Sequence, residues 1–131
     1  MTLEHVKNIM VKDLVVTSPH TPVKNVVKLM KERNVGSVLI IDSDGKLVGI
    51  FTERDLVKLV AEGLSLEIPV GEVMSKDLLV AHETDSIASL ANKMLEKWIR
   101  HIPVVNVEGK PVGIVSIRDV LRHVLAACLF P

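Results

Sequence analysis

Sixteen basic residues balance sixteen acidic ones in a chain of 131, and a net charge of zero gives no overall attraction to nucleic acid or anionic lipid. A composition of 48% hydrophobic and 24% charged residues excludes a disordered chain, and 2% aromatic content leaves few platforms for stacking single-stranded bases. The single cysteine, Cys128, excludes an intramolecular disulfide and a multi-cysteine metal site. No apolar run approaches the about 20 residues of a membrane span. The first residues, with Glu4, His5 and Lys7, do not read as a signal peptide, so a cytoplasmic protein is expected.

Shifted by 64 residues, the chain overlays on itself without a gap, with 16 identities in the 55 positions from Val6 to Val60. Val6–Val16 falls on Val70–Val80, Gly45–Ile50 on Gly109–Ile114, and Thr52–Asp55 on Ser116–Asp119. The sequence therefore reads as two copies of one unit, 6–62 and 70–127, joined by a linker at 63–69 that holds the structure breakers Gly63 and Pro69.

In chain order, Leu14–Thr17 reads as a short strand, with the same expected of its copy. Thr21 followed by Pro22 reads as an N-cap with proline at the first helical position. Val23, Val26, Val27 and Met30 then form one apolar helix face, and the second copy gives Asp85 as cap before Ile87, Leu90, Ala91 and Met94. Val38–Ile41 is a buried strand, Asp42–Gly45 a turn and Leu47–Phe51 the returning strand. A second helix starts at Thr52, with Leu56, Val57 and Val60 expected inward. The order β-α-β-β-α, twice, predicts an α+β fold. Such a unit cannot bury both sheet faces alone, which predicts two copies packed about a pseudo-twofold axis.

The informative motif is Gly49-Ile-Phe-Thr-Glu-Arg-Asp55, echoed as Gly113-Ile-Val-Ser-Ile-Arg-Asp119. A hydroxyl at a strand-to-helix junction with an acid three residues on is a capping box, and any helix can use one. The same corner suits a nucleotide: free N–H groups and a hydroxyl for phosphate, and a carboxylate for both ribose hydroxyls. The two roles can coexist.

With these corners, the starts Ile9-Met10 and Val15-Val16-Thr17, and the segments Ile102-Pro-Val-Val105 and Gly109-x-x-Val-Gly-Ile114, the chain resembles the cystathionine β-synthase (CBS) domain family in its tandem form, the Bateman module. The resemblance covers nearly the whole chain and rests on the order, spacing and duplication of motifs. It implies a non-catalytic module that binds AMP, ADP, ATP or an S-adenosylmethionine-like ligand in clefts between the repeats and signals to a regulated partner protein. It implies no required cofactor, with AMP the foremost regulatory ligand. One implied cleft takes Asp55 for ribose, Thr52 for phosphate, Leu78, Leu79 and Val80 along the base, and Arg100 and His101 for phosphate. The other takes Asp119 and Ser116 with Leu14, Val15 and Val16. There Gly36 and Ser37 match Arg100 and His101, and Leu39 stands where the family often has proline. The Asp55 cleft is thus expected to prefer phosphorylated ligands.

Other constellations are weaker. The five histidines show no metal-ligand spacing on a helix. Ser116 and Asp119, one helical turn apart, cannot form a hydrolytic triad with His101, in which the acid must stand behind the histidine. Asp42 and Asp44 with Gly45 suit a hairpin turn better than a calcium loop. Cys128–Pro131 reads as a buried apolar tail rather than a prenylation signal. Val120, Leu121, Val124 and Leu125 give the last helix an apolar face, and a homodimer is expected. No fused enzyme, transporter or DNA-binding domain is expected in these residues. The alternative is a ligand-free dimerisation or interaction module whose Thr/Ser-x-x-Asp motifs are only caps.

Overall fold

The computed structural model describes residues 4–129. The fold is α+β and divides into two compact units. Their membership differs from the order of the sequence copies: residues 15–78 make one unit, and residues 79–129 make the other together with the arm up to Leu14.

In the first unit, β1 (Val16–Thr17) pairs parallel with β2 (Ser37–Ile41), which pairs antiparallel with β3 (Leu47–Thr52). The β2–β3 turn follows from Asp42, whose Oδ1 accepts from the N–H groups of Asp44 and Lys46, and from Gly45 at φ 81°. Helices α1 (Val23–Arg33) and α2 (Glu53–Ala61) cover the sheet. Val23, Val26 and Met30 of α1 pack with Val38, Ile40, Phe51 and Leu59 in one core, so the apolar spacing of α1 does what its period implies.

The segment after α2 completes this unit. Val23 and Lys24 donate to the carbonyls of Ile68 and Leu66, and a short 3-10 helix, Val70–Glu72, buries Val70 in the same core. Ile50 and Ser75 then exchange two backbone hydrogen bonds of 3.0 and 2.9 Å. Met74 lies over Gly49, where an added Cβ would meet its thioether sulfur.

The second unit repeats the plan with α3 (Ile87–Lys97), β4 (His101–Val105), β5 (Pro111–Ser116) and α4 (Ile117–Leu129). Its core joins Leu90, Met94, Ile102, Val104, Val115 and Val120 with Val6, which arrives on the short 3-10 helix Val6–Asn8 of the arm. Val11 pairs with Ile114 as Ser75 does with Ile50, and Met10 lies over Gly113.

Four local expectations are corrected. Pro22 is itself the N-cap of α1, and Thr21 Oγ1 instead meets Thr17 Oγ1 at 2.7 Å. Ser86, not Asp85, caps α3: its hydroxyl accepts from Ser89 N–H, while Asp85 accepts from His82 N–H one turn earlier. The copy of β1 at residues 78–81 is reduced to a single bridge, Ala81 to Val104. The reason is chemical. Leu39 N–H donates to Val15 O at 2.9 Å, whereas Pro103, at the matching place, has no N–H to give Leu79. Finally, Val57 and Val60 are 66% and 62% exposed, and Leu59 is buried with Leu56 packed beside it. Residues 56, 57, 59 and 60 are all apolar, so the sequence pattern allows two helix faces. Packing against the core settles the helix on the face of Leu56 and Leu59.

On α4, Val120 is buried, whereas Leu121, Val124 and Leu125 are exposed. Cys128 is exposed rather than buried, and Phe130 and Pro131 lie outside the described residues. Among the described residues no helix is long and apolar enough to cross a membrane.

The face assignment of α2 has a measurable consequence. Leu59→Ala should lower stability by about 2–5 kcal/mol, as other buried leucine truncations do. Val57→Ala should stay within about 0.5 kcal/mol of wild type. Denaturant unfolding of both variants checks the pair.

Candidate functional site: two carboxylate corners

At the end of β3 the chain turns directly into α2, and Thr52 is the N-cap. Its hydroxyl accepts from Asp55 N–H at 3.3 Å, and Asp55 Oδ2 accepts from Thr52 N–H at 2.8 Å. The Thr52 hydroxyl also donates to Oδ2, at 3.1 Å. These bonds join strand end and first helical turn into one ring, as the capping-box spacing implies. The other oxygen, Asp55 Oδ1, accepts from the Ser75 hydroxyl at 2.9 Å, across 20 residues of sequence.

The second corner is built the same way. Asp119 Oδ2 accepts from Ser116 N–H at 2.8 Å and from its hydroxyl at 2.9 Å, and Ser116 Oγ accepts from Asp119 N–H at 3.2 Å. Here Oδ1 accepts from Arg122 Nη1, at 3.2 Å. The ion pair joins a guanidinium with a side chain 69% exposed to a carboxylate 8% exposed. A carboxylate at the first helical turn also complements the positive helix end.

Gly36 and Ser37 stand beside the first corner: Glu53 N–H donates to Gly36 O, and Ser37 pairs with Thr52 across β2 and β3. Arg100 and His101 stand in the same way beside the second: Ile117 N–H donates to Arg100 O, and His101 pairs with Ser116. The sequence reading set Arg100 and His101 with Asp55, which belongs to the other unit. Within their own unit they neighbour Ser116 and Asp119.

Of the residues expected along a base, Val15 and Val16 lie next to Leu39, with Val15 O taken by Leu39 N–H. Leu14 and Leu78 are half-buried and end the two arm segments. Leu79 and Val80 line a shallow recess with Ala81, Leu90, Lys93 and Ile102. The Leu79 carbonyl receives no N–H from Pro103, which has none to give.

Sequence reasoning missed Ser75 and Arg122. Arg122 lies three residues beyond Asp119 on one helix face, a spacing that pairs charges and was there to be read. Ser75 had no such signal, because only the Ile50–Ser75 bridge brings it near.

Because each aspartate closes a ring of hydrogen bonds, its removal should cost stability whatever else it does. Asp55→Ala should cost about 1 kcal/mol, the size of a lost cap. Asp119→Ala should cost more, about 2–3 kcal/mol, since the carboxylate is buried and its partners lose an ionised acceptor. Unfolding curves of the two variants measured side by side check the order.

Comparison with known proteins identifies the family. The CBS domain model matches residues 6–62 and again 70–126. An uncharacterized 17.7 kDa protein of Acidianus ambivalens is 40% identical over 110 residues, 84% of this chain and 66% of that protein. The chain spans 58% and 24% of two other curated relatives, so it covers about two thirds or less of all three. Among solved structures, the CBS domain pair of protein MJ0100 in complex with 5′-methylthioadenosine and S-adenosyl-L-methionine is 29% identical, with a TM-score of 0.87 over 94% of this chain and 97% of that one. CBSX2 in complex with AMP is 28% identical, with a TM-score of 0.83 over 95% and 98%. Two family matches covering most of the residues, on a fold shared with these structures, show that the chain belongs to the CBS domain family.

Proposed function

We propose that the chain is a non-catalytic sensing module. It binds an adenosine ligand reversibly at its carboxylate corners, AMP foremost, with ADP, ATP or an S-adenosylmethionine-like compound as the other candidates, and a partner protein reads the bound state. The observation that carries this reading is the corner itself, built twice from hydroxyl and carboxylate with the same ring of hydrogen bonds. In each corner Oδ1 takes one hydrogen bond among those formed by the described residues, and a carboxylate oxygen has room for about two. A ribose offers adjacent hydroxyl donors.

The related structures support the same choice of chemistry. AMP, 5′-methylthioadenosine and S-adenosylmethionine, the molecules bound in those two relatives, share an adenosine ribose and differ in phosphate. What they share is what a carboxylate recognises. Phosphate contacts fall to Thr52 and Ser116, whose hydroxyls must rotate away from the carboxylate to donate outward. Near Ser116 they also fall to Arg100 and His101. Leu79 and Val80 offer aliphatic and backbone surface to a base. Ligand acts by population shift, moving the module only by its difference in affinity for two states.

The module is further read as a homodimer. Leu121, Val124 and Leu125 leave an apolar stripe exposed on α4, and a second copy would bury it. Light scattering should give twice the monomer mass, and Leu121→Glu with Leu125→Glu should return it to one.

Ligand binding is tested with protein freed of bound small molecules. AMP at 100 times its dissociation constant should stabilise the fold by about 2.7 kcal/mol. Asp55→Ala should weaken binding at its corner about ten- to a hundredfold, the scale of hydrogen bonds to a charged group. Unchanged affinity with lowered stability would mark the corners as caps only and leave an interaction module. The readouts are calorimetry and thermal unfolding with AMP, ATP and S-adenosylmethionine.

A further inference from the structure

Resting on the ligand reading above, we propose that Ser75 is a positioning residue that sets how strongly the Asp55 corner distinguishes a ribose from a deoxyribose. The reason is a count of acceptors. A carboxylate offers about four lone-pair sites, two on each oxygen. Asp55 Oδ2 already accepts from the Thr52 N–H and hydroxyl, both within the corner. Oδ1 accepts from the Ser75 hydroxyl at 2.9 Å. Oδ2 stays inside the cap, held by the Thr52 N–H, even when the Thr52 hydroxyl turns to a phosphate, so a ligand meets Oδ1, which has room for about one further donor, whereas a ribose diol brings two. A ligand with both hydroxyls must displace Ser75 to use both. A ligand with one hydroxyl need not.

Ser75 is well placed for this part. Its backbone is fixed by the two hydrogen bonds to Ile50, so the hydroxyl is delivered to Oδ1 by a strand bridge rather than by a mobile loop. The side chain is exposed and its hydroxyl neutral, so it can turn to water when displaced. The duplicated corner supplies an internal contrast. The position matching Ser75 is Val11, which carries no hydroxyl, and there Oδ1 of Asp119 is held by Arg122. The two corners share the ring on Oδ2 and differ in what occupies Oδ1. Both bonds end on an ionised carboxylate, and in the Arg122 bond the donor is charged as well.

The test uses the full chain, wild type, Ser75→Ala and Ser75→Thr, titrated separately with AMP and 2′-deoxy-AMP. The amide resonances of Thr52 and Asp55 are followed so that this corner is read apart from the other. In wild type the two nucleotides should bind within about twofold of each other. In Ser75→Ala, AMP should tighten about fivefold, the size of one hydrogen bond, while 2′-deoxy-AMP stays within about twofold. Ser75→Thr keeps a hydroxyl and should restore the wild-type ratio. Loss of a merely structural contact would move both nucleotides together. Equal changes for both, or weaker AMP binding in Ser75→Ala, would overturn the role of Ser75 and leave the ligand reading standing. Neither nucleotide moving Thr52 or Asp55 in any of the three proteins would overturn the ligand reading, and this inference with it.

Discussion

The bridge between Ile50 and Ser75, with its counterpart between Val11 and Ile114, is the constraint on which the rest depends. Each bridge pairs a strand that leads into a carboxylate corner, and each does so with a segment from the far end of its unit in sequence. An unpaired strand leaves N–H and C=O groups that must find partners. Once the bridge forms, the methionine one residue earlier is set over a glycine of the strand, Met74 over Gly49 and Met10 over Gly113. Only a residue without Cβ allows that approach. Val70 and Val6, four residues before the methionines, are carried into the two cores by the same segments. Pairing, packing and corner geometry are therefore one arrangement.

The same carboxylates serve stability and the proposed recognition, and the two uses divide by oxygen. Oδ2 closes the ring that fixes the strand-to-helix angle. Oδ1 faces groups from outside the ring, Ser75 in one unit and Arg122 in the other. A ligand that engaged Oδ2 would have to break the cap and unsettle the helix start. One that engages Oδ1 exchanges a single side-chain partner. On the proposed reading the two roles are compatible: the cap pre-organises the carboxylate, so the cost of orienting it is met on folding rather than on binding.

Much of this was legible in the sequence because the signals were local. Val23, Val26 and Met30 are inward because their spacing matches a helix, and Asp42 with Gly45 makes a hairpin because their turn chemistry leaves little choice. The Thr52–Asp55 and Ser116–Asp119 rings follow from a three-residue spacing. The failures arose where two local choices were equal or the decisive contact was distant. Val57 and Val60 lost to Leu56 and Leu59 because four apolar residues allow two faces and tertiary packing chose one. Ser86 displaced Asp85 as cap because both are good cap residues, one position apart. The exchange of arms could not be read from an ungapped repeat, which looks identical whether each copy completes itself or the other.

Duplication makes the differences between the copies informative, since the backbone plan is held constant. Around the carboxylates, Ser75 corresponds in the repeat to Val11, Lys58 to Arg122, and Gly36 and Ser37 to Arg100 and His101. Along the adjoining strands, Leu39 corresponds to Pro103. The last change removes a backbone donor, reduces a strand to one bridge at Ala81, and leaves Leu79 O beside a shallow recess without the partner that Val15 O has. These substitutions fall on the groups that would touch a sugar, a phosphate or a base, while the ring on Oδ2 is kept in both copies. On the sensing reading, a difference in occupant at Oδ1, in nearby cations and in free backbone acceptors gives the two corners different affinities. The module would then respond over a wider range of ligand concentration than two equal sites could.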